Sequence, residues 1–185
     1  MARFKELFFS FAHFVRNPNI PNYPTTPYNQ KLIDVFLYFL LIQFIFGGII
    51  LWYPVAIAEK IGLFNSLASN KPPVGVILTI FSGVVLAPLI EEGLFRFPLG
   101  LYRKDPYFRW WYYTVSILFG FIHIFNYPVD RTHLFYIPFI TMTQTFGGFL
   151  FGYIRIIYGI WYAVLLHSLF NILGFIWEYT IGFSL

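Results

Sequence analysis

The stretch IEEGLFR, residues 90–96, decides the fold and the candidate site, because it sets Glu91, Glu92 and Arg96 directly after the apolar run Val74–Ile90. An ionisable side chain at the centre of a bilayer costs about 2.5–3.5 kcal/mol on insertion scales, so three together indicate a function. On a helix, Glu92 and Arg96 are four residues apart and can form an ion pair. Glu91 points about 100° away and has no cation at helical spacing.

The two adjacent carboxylates are therefore expected to lie in different environments. We expect Glu92 to be ionised and paired with Arg96, and Glu91 to be desolvated. A carboxylate tuned by burial is suited to act as a general base near neutral pH. The alternative interpretation is a buried ion pair that only locks two helices together.

The composition excludes most soluble classes of protein. Of the 185 residues, 58% are hydrophobic, 24% aromatic and only 11% charged, whereas soluble domains carry about 25% charged residues. This predicts an all-α fold, a polytopic membrane helical bundle, with residues 1–185 forming a single membrane domain. The basic residues that give the formal charge of +4 lie in predicted loops, so this charge does not indicate a nucleic-acid partner. The absence of cysteine excludes a thiol nucleophile, disulfides and thiolate metal ligands.

Residues 1–30 are predicted to form an interfacial helix followed by a loop. Met1–Arg16 mixes charged residues with phenylalanines, a pattern typical of an amphipathic helix lying in the membrane interface. Asn17–Asn29 contains four prolines and no periodicity, which predicts a proline-rich loop. The N-terminus has no short apolar core followed by a cleavage site, so we expect no removable signal peptide.

About five transmembrane helices are predicted from the remaining apolar segments. Their predicted ranges are Lys31–Ala58, Val74–Tyr102, Trp110–Asn126, Leu134–Tyr158 and Ile160–Gly182. A cytoplasmic N-terminus leaves nine of the twelve Lys and Arg residues on the inner side. The positive-inside rule therefore predicts a cytoplasmic N-terminus and an external C-terminus.

Polar residues interrupt two further spans at helical spacing. The third span contains Phe119-x-x-x-His123 and the fifth contains His167-x-x-x-Asn171. At 1.5 Å per residue, these side chains and the two glutamates all fall about 12–20 Å from the cytoplasmic ends of their helices. They are therefore expected to lie in one layer, provided that the second helix continues through Pro98.

The residue types in this layer predict hydrolysis by activated water. Glu91 and His123 could hold and deprotonate a water molecule, and His167 and Asn171 could donate hydrogen bonds to the developing oxyanion. No covalent nucleophile is convincing. Alternatively, Glu91, His123 and His167 could form a zinc site. The nearby glycines Gly147, Gly148 and Gly152 are expected to permit close helix packing. His13 and His133 lie outside these motifs, and their substitution by alanine is expected to be near-neutral.

Together, Glu91-Glu92-x-x-x-Arg96, Phe119-x-x-x-His123 and His167-x-x-x-Asn171 resemble the three-motif signature of the CAAX protease and bacteriocin-processing (CPBP, or Abi) family. The resemblance covers residues 74–173, the expected catalytic core. It implies an intramembrane endopeptidase of the glutamate type whose site opens to the cytosol.

The resemblance also implies a role for each motif residue. Glu91 would activate water with His123 as its partner, while His167 and Asn171 would stabilise the oxyanion. Glu92 and Arg96 would form a supporting ion pair.

The family pattern implies no metal or other cofactor and a peptide or protein substrate, with or without a lipid group, and membrane lipids are expected as further partners. The small size is typical of a prokaryotic member in a cytoplasmic membrane. The rival functions are a zinc-dependent membrane protease, or a non-catalytic protein for peptide binding, peptide export or bacteriocin immunity.

Overall fold

The protein is described by a computed structural model that covers residues 1–19, 26–67 and 75–181. These residues form helices connected by turns, with no strand among them. We name the helices α1 (Ala2–Arg16), α2 (Tyr28–Lys60), α3 (Val76–Lys104), α4 (Phe108–Ile122), α5 (Ile137–Ile140), α6 (Met142–Ile157) and α7 (Ile160–Ile181). Two π-helical segments, Asp34–Phe39 and Gln43–Leu51, interrupt α2, and a third, Ser82–Leu86, interrupts α3.

The long helices have the length and composition of membrane spans. Within the described residues, α2, α3 and residues Ile160–Trp177 of α7 are each long and apolar enough to cross a bilayer. A fourth candidate is Leu134–Ile140 together with α6, two helices bent by 43° at Thr141. In α3, Val76, Ile77 and Leu78 are all more than half exposed, and apolar side chains exposed in such runs require lipid. The fold is an all-α membrane helical bundle.

Among the described residues, the candidate spans correspond to four of the about five predicted segments, the first, second, fourth and fifth, with adjusted bounds. The segment predicted as the third span forms the 15-residue helix α4 and a 3₁₀ turn, His123–Asn126. The second predicted span stays helical through Pro98. This is the condition under which the glutamates and the site histidines were expected to lie in one layer. Val74, Gly182 and residues 20–25 of the predicted proline-rich loop lie outside the described residues, and Tyr28 and Asn29 already belong to α2.

The N-terminal helix α1 is docked on the bundle. Leu7, Phe11 and Phe14 follow helical spacing and are buried, and the Phe11 and Phe14 rings contact Tyr153 of α6 at 5.6 and 5.2 Å. At the start of α1, Arg3 pairs with the buried carboxylate of Asp34 on α2. The predicted amphipathic helix is therefore present, and its apolar face belongs to the protein core.

Glycines let α4 and α6 approach closely, as predicted for Gly148 and Gly152. A Cβ atom on Gly148 would overlap the backbone of Ser116, and one on Gly152 would lie 2.9 Å from the Tyr112 ring. The Ser116 hydroxyl donates to the Gly148 carbonyl at 3.2 Å. This contact fixes the register of α4 against α6, the two helices that flank the candidate site.

A cluster of polar side chains lies at the end of the bundle opposite the Arg3–Asp34 ion pair. His133 is fully buried; its Nδ1 accepts from the Asp130 amide at 3.0 Å, and its Nε2 lies 3.0 Å from the Asn65 carbonyl. Hydrogen bonds from Thr132 and Asn65 hold the pKa of Asp130 well below its usual range. A near-neutral His133→Ala substitution is therefore no longer expected, since the change would remove a buried imidazole together with both of its hydrogen bonds.

The close packing at Gly148 predicts that substitution by alanine has opposite effects on stability at Gly148 and at Gly93. Gly148→Ala should lower the free energy of unfolding by about 1–3 kcal/mol, because the new methyl group meets backbone that cannot yield. Gly93→Ala should be neutral or stabilise by about 0.5–1 kcal/mol, since nothing lies within 4 Å of its Cβ position. Denaturant unfolding in detergent micelles measures both. Equal effects would contradict the packing role of Gly148.

Candidate active site

Helix α3 carries the two carboxylates on different faces, as their 100° offset predicts. Glu92 and Arg96 are fully buried, whereas the Glu91 side chain keeps 27% of its exposure. Contrary to the expectation, Glu92 is therefore the more buried carboxylate, although Glu91 Oε2 is itself buried and has no hydrogen-bond partner among the described residues.

Glu92 is held between two cationic or potentially cationic groups. Its Oε2 lies 3.5 Å from Arg96 Nε on the same helix, which is the predicted ion pair. Its Oε1 lies 3.0 Å from His167 Nδ1 on α7, a contact that the sequence did not predict. Because a buried charge is tolerated only when it is compensated, Glu92 ties α3 to α7.

The Arg96 guanidinium is enclosed by aromatic rings and one carbonyl. Its Cζ lies 3.7 Å from the centre of the Phe119 ring and 5.6 Å from that of Phe151. Its Nη2 donates to the Gly148 carbonyl at 3.4 Å. Cation–π attraction strengthens when the cation is desolvated, so these rings stabilise the buried guanidinium charge of Arg96.

Glu91 faces both site histidines. Its Oε2 lies 3.7 Å from His123 Nε2 and 3.8 Å from His167 Nε2. Both separations exceed a hydrogen bond. Of the five side chains that the sequence predicted to lie in one layer, His123 and His167 therefore converge on one carboxylate oxygen of Glu91.

The tautomer of each histidine follows from its second contact. His123 Nδ1 lies 2.7 Å from the Phe119 carbonyl, and His167 Nδ1 lies 3.0 Å from the Glu92 carboxylate. Because both partners only accept, each Nδ1 carries the proton. In the neutral state, each Nε2 then presents a lone pair toward Glu91.

Asn171 lies one turn beyond His167 and has a backbone partner. Its Nδ2 donates to the Gly83 carbonyl at 2.7 Å, in the π-helical segment of α3. An amide nitrogen carries two hydrogens, so one remains for another acceptor. The contact links α7 to α3 and fixes the orientation of the amide.

Phe151 is the site residue that sequence reasoning missed. Its ring is buried and stacks on the His167 imidazole, with centroids 4.7 Å apart and planes 19° apart. Phe119 contacts the same imidazole edge-on at 5.8 Å. The only available signal was helical spacing, since Phe151 lies on the face of α6 that carries Gly148, three residues earlier.

The zinc alternative requires three or more ligands converging at metal-binding distances. Among the described residues, no group of three His, Asp or Glu side chains is arranged to hold a metal ion.

Comparison with known proteins places the chain in a family. Residues 73–173 match the family described as Type II CAAX prenyl endopeptidase Rce1-like, which covers more than half of the chain. The chain belongs to this family. The resemblance to CAAX proteases that the three motifs predicted is thereby confirmed. Neither a curated protein nor a solved structure matches.

Family membership and the apolar helices establish the general class of the protein. It is an integral membrane protein of a membrane-endopeptidase family, and its substrate class is a peptide or protein. The matched region contains all six predicted site residues, and the N-terminal helix α1 and the span α2 lie outside it.

The buried charges predict non-additive effects on stability. Glu92→Gln and Arg96→Met should each lower the free energy of unfolding by about 3–5 kcal/mol, because each leaves one buried charge uncompensated. The double variant removes both charges and should cost clearly less than the sum of the two. Unfolding of the four proteins in the same detergent measures the coupling. Additive losses would contradict a direct interaction between these charges.

Proposed function

We propose that this protein is a metal-independent glutamate endopeptidase that hydrolyses a peptide bond with water activated by Glu91 and His123. The observation that carries the proposal is the convergence of Glu91 Oε2 and the two histidine Nε2 atoms at 3.7 and 3.8 Å. The partial exposure of Glu91 beside the buried Glu92 supports different roles for the two.

The first step assigned to the site is proton abstraction from water. A water between Glu91 and His123 would donate one hydrogen to the carboxylate and one to the Nε2 lone pair. Glu91 takes the proton as the water oxygen attacks the carbonyl carbon, and the carboxylic acid can then protonate the leaving nitrogen. The Phe119 carbonyl keeps His123 in the tautomer that accepts.

The second requirement is stabilisation of the oxyanion. His167 Nδ1 is engaged with Glu92, so His167 can donate from Nε2 only as an imidazolium. Two carboxylates flank it, Glu92 at 3.0 Å and Glu91 at 3.8 Å, and can compensate that charge. The second hydrogen of Asn171 Nδ2 would complete the oxyanion hole.

The substrate would enter from the cytoplasmic side. With the N-terminus cytoplasmic, the positive-inside rule sets most basic residues on that face, and we propose the cytoplasmic membrane of a prokaryote as the location. A lipid anchor on the substrate peptide would hold the cleaved bond at the depth of Glu91. Comparing the same peptide with and without an acyl or isoprenyl group tests this requirement.

The proposed role of Glu91 predicts that Glu91→Gln abolishes peptide cleavage while the protein stays folded. The amide is nearly isosteric but cannot take the proton. The measurement is cleavage of a quenched peptide library by purified protein, with and without a strong chelator. Glu6→Gln, an exposed carboxylate of α1, is the matched control and should cleave as the wild type does.

The chelator comparison and the Glu91→Gln comparison each distinguish the proposed function from one alternative. Loss of cleavage with chelator and recovery with zinc would contradict the metal-independent mechanism and move Glu91, His123 and His167 into a metal site. Peptide binding or export that survives Glu91→Gln, without hydrolysis by the wild type, would favour a non-catalytic membrane protein.

A further inference from the structure

A groove outside the candidate site lies between α1, α2 and α6. Its volume is about 290 Å³, and its lining is formed by Phe8, Phe11, Ala12, Val15, Arg16, Phe46, Phe146 and Phe149. A cavity beside it shares Phe8, Ala12 and Arg16 and adds Phe9 and His13. Arg16 is the one charged residue among the described residues that line the groove, and no carboxylate lines it.

Ring contacts hold the walls of the groove in place. Phe8 of α1 stacks on Phe46 of α2 with centroids 4.7 Å apart. Phe146 of α6 lies 5.7 Å from Phe11 and 6.1 Å from Phe46. Because these four phenylalanines pack against one another across three helices, the apolar walls of the groove are formed before any ligand enters, which lowers the entropic cost of binding.

The groove has a polar end near the membrane surface and an apolar end deeper in the bilayer. Tyr113 donates to the Val15 carbonyl at 2.8 Å and to that of Arg16 at 3.3 Å, and it lies five residues, about 8 Å, from the start of α4. Phe146 lies eleven residues, about 17 Å, from the end of α6. These two helix ends face the same side, because α4 and α6 are antiparallel neighbours.

This arrangement matches the polarity of a lipid. We propose that the groove binds one acyl chain of an anionic phospholipid, with the lipid phosphate paired to the Arg16 guanidinium. The phenylalanine rings contact the chain, and the cation lies at the depth that amphipathic helices occupy in the headgroup region. Arg3 is not available for this role, because Asp34 and Glu6 already bind it.

The charge of Arg16 is tested by lipid binding to the full chain. Native mass spectrometry in a non-ionic detergent would compare phosphatidylglycerol with phosphatidylcholine of the same chains. One basic residue near the membrane surface contributes about 1 kcal/mol to the binding of an anionic lipid. The wild type should therefore bind phosphatidylglycerol about fivefold more tightly than phosphatidylcholine. Arg16→Gln should remove the preference. Lys5→Gln removes the same charge from an exposed position of α1 outside the groove and should retain it.

The site of the acyl chain is tested separately. Ala12→Phe fills the groove and should reduce binding of both lipids at least fivefold, while Ala12→Ser leaves the groove open and should bind as the wild type does. Phosphatidylglycerol with a photoactivatable group on its chain should label α1 between Phe8 and Arg16, or α6 between Phe146 and Phe149, in the wild type. This labelling does not depend on whether Ala12→Phe folds.

Three results would overturn the proposal. Equal losses in Arg16→Gln and Lys5→Gln would mean that the whole basic surface attracts the lipid. Unchanged lipid binding by folded Ala12→Phe, or labelling confined to other helices, would mean that the chain lies elsewhere. Peptide cleavage by Arg16→Gln should equal that of the wild type, so a failure here is distinct from a failure of the proposed catalytic function.

Discussion

The buried pairing of Glu92 with Arg96 and His167 is the interaction on which the rest of the site depends. Each of these groups is costly to bury alone, and together they compensate one another. Glu92 contacts Arg96 within α3 at 3.5 Å and His167 on α7 at 3.0 Å. Arg96 in turn reaches the Gly148 carbonyl of α6. Glu92 and Arg96 therefore link three helices, and the relative positions of these helices cannot change without leaving a charge unpaired.

The aromatic residues around this pairing protect it and orient the histidine. Phe119 lies against the Arg96 guanidinium, and its carbonyl sets the tautomer of His123. Phe151 stacks on the His167 ring. These rings exclude solvent from the charged groups, so the electrostatic interactions act in a low-dielectric environment and are stronger than in water. The same contacts leave Nε2 of both histidines directed at Glu91.

Helices α1 and α2, which lie outside the family match, support the candidate site through their contacts with α6. Helix α1 packs Phe11 and Phe14 against Tyr153 of α6, on the helix whose Gly148 and Phe151 contact Arg96 and His167. The Thr143 hydroxyl donates to the Gly47 carbonyl in a π-helical segment of α2. Helix α6 is therefore held between α1, α2 and the three family motifs. Helices α1 and α2 are thus part of the scaffold, and the proposed lipid groove lies on its outer wall.

The sequence by itself determined the all-α membrane class, the position of most helices, the Glu92–Arg96 pair and the convergence of Glu91 with His123 and His167. Apolar run length and the four-residue helical spacing are local properties, and both can be read directly from the residues. Only the tertiary structure decided which glutamate is buried, that Glu92 orients His167, that Phe151 covers its ring, that Asn171 donates to Gly83 and that His133 is buried. These facts depend on how neighbouring helices rotate and approach one another, and that geometry follows from contacts between residues far apart in the chain.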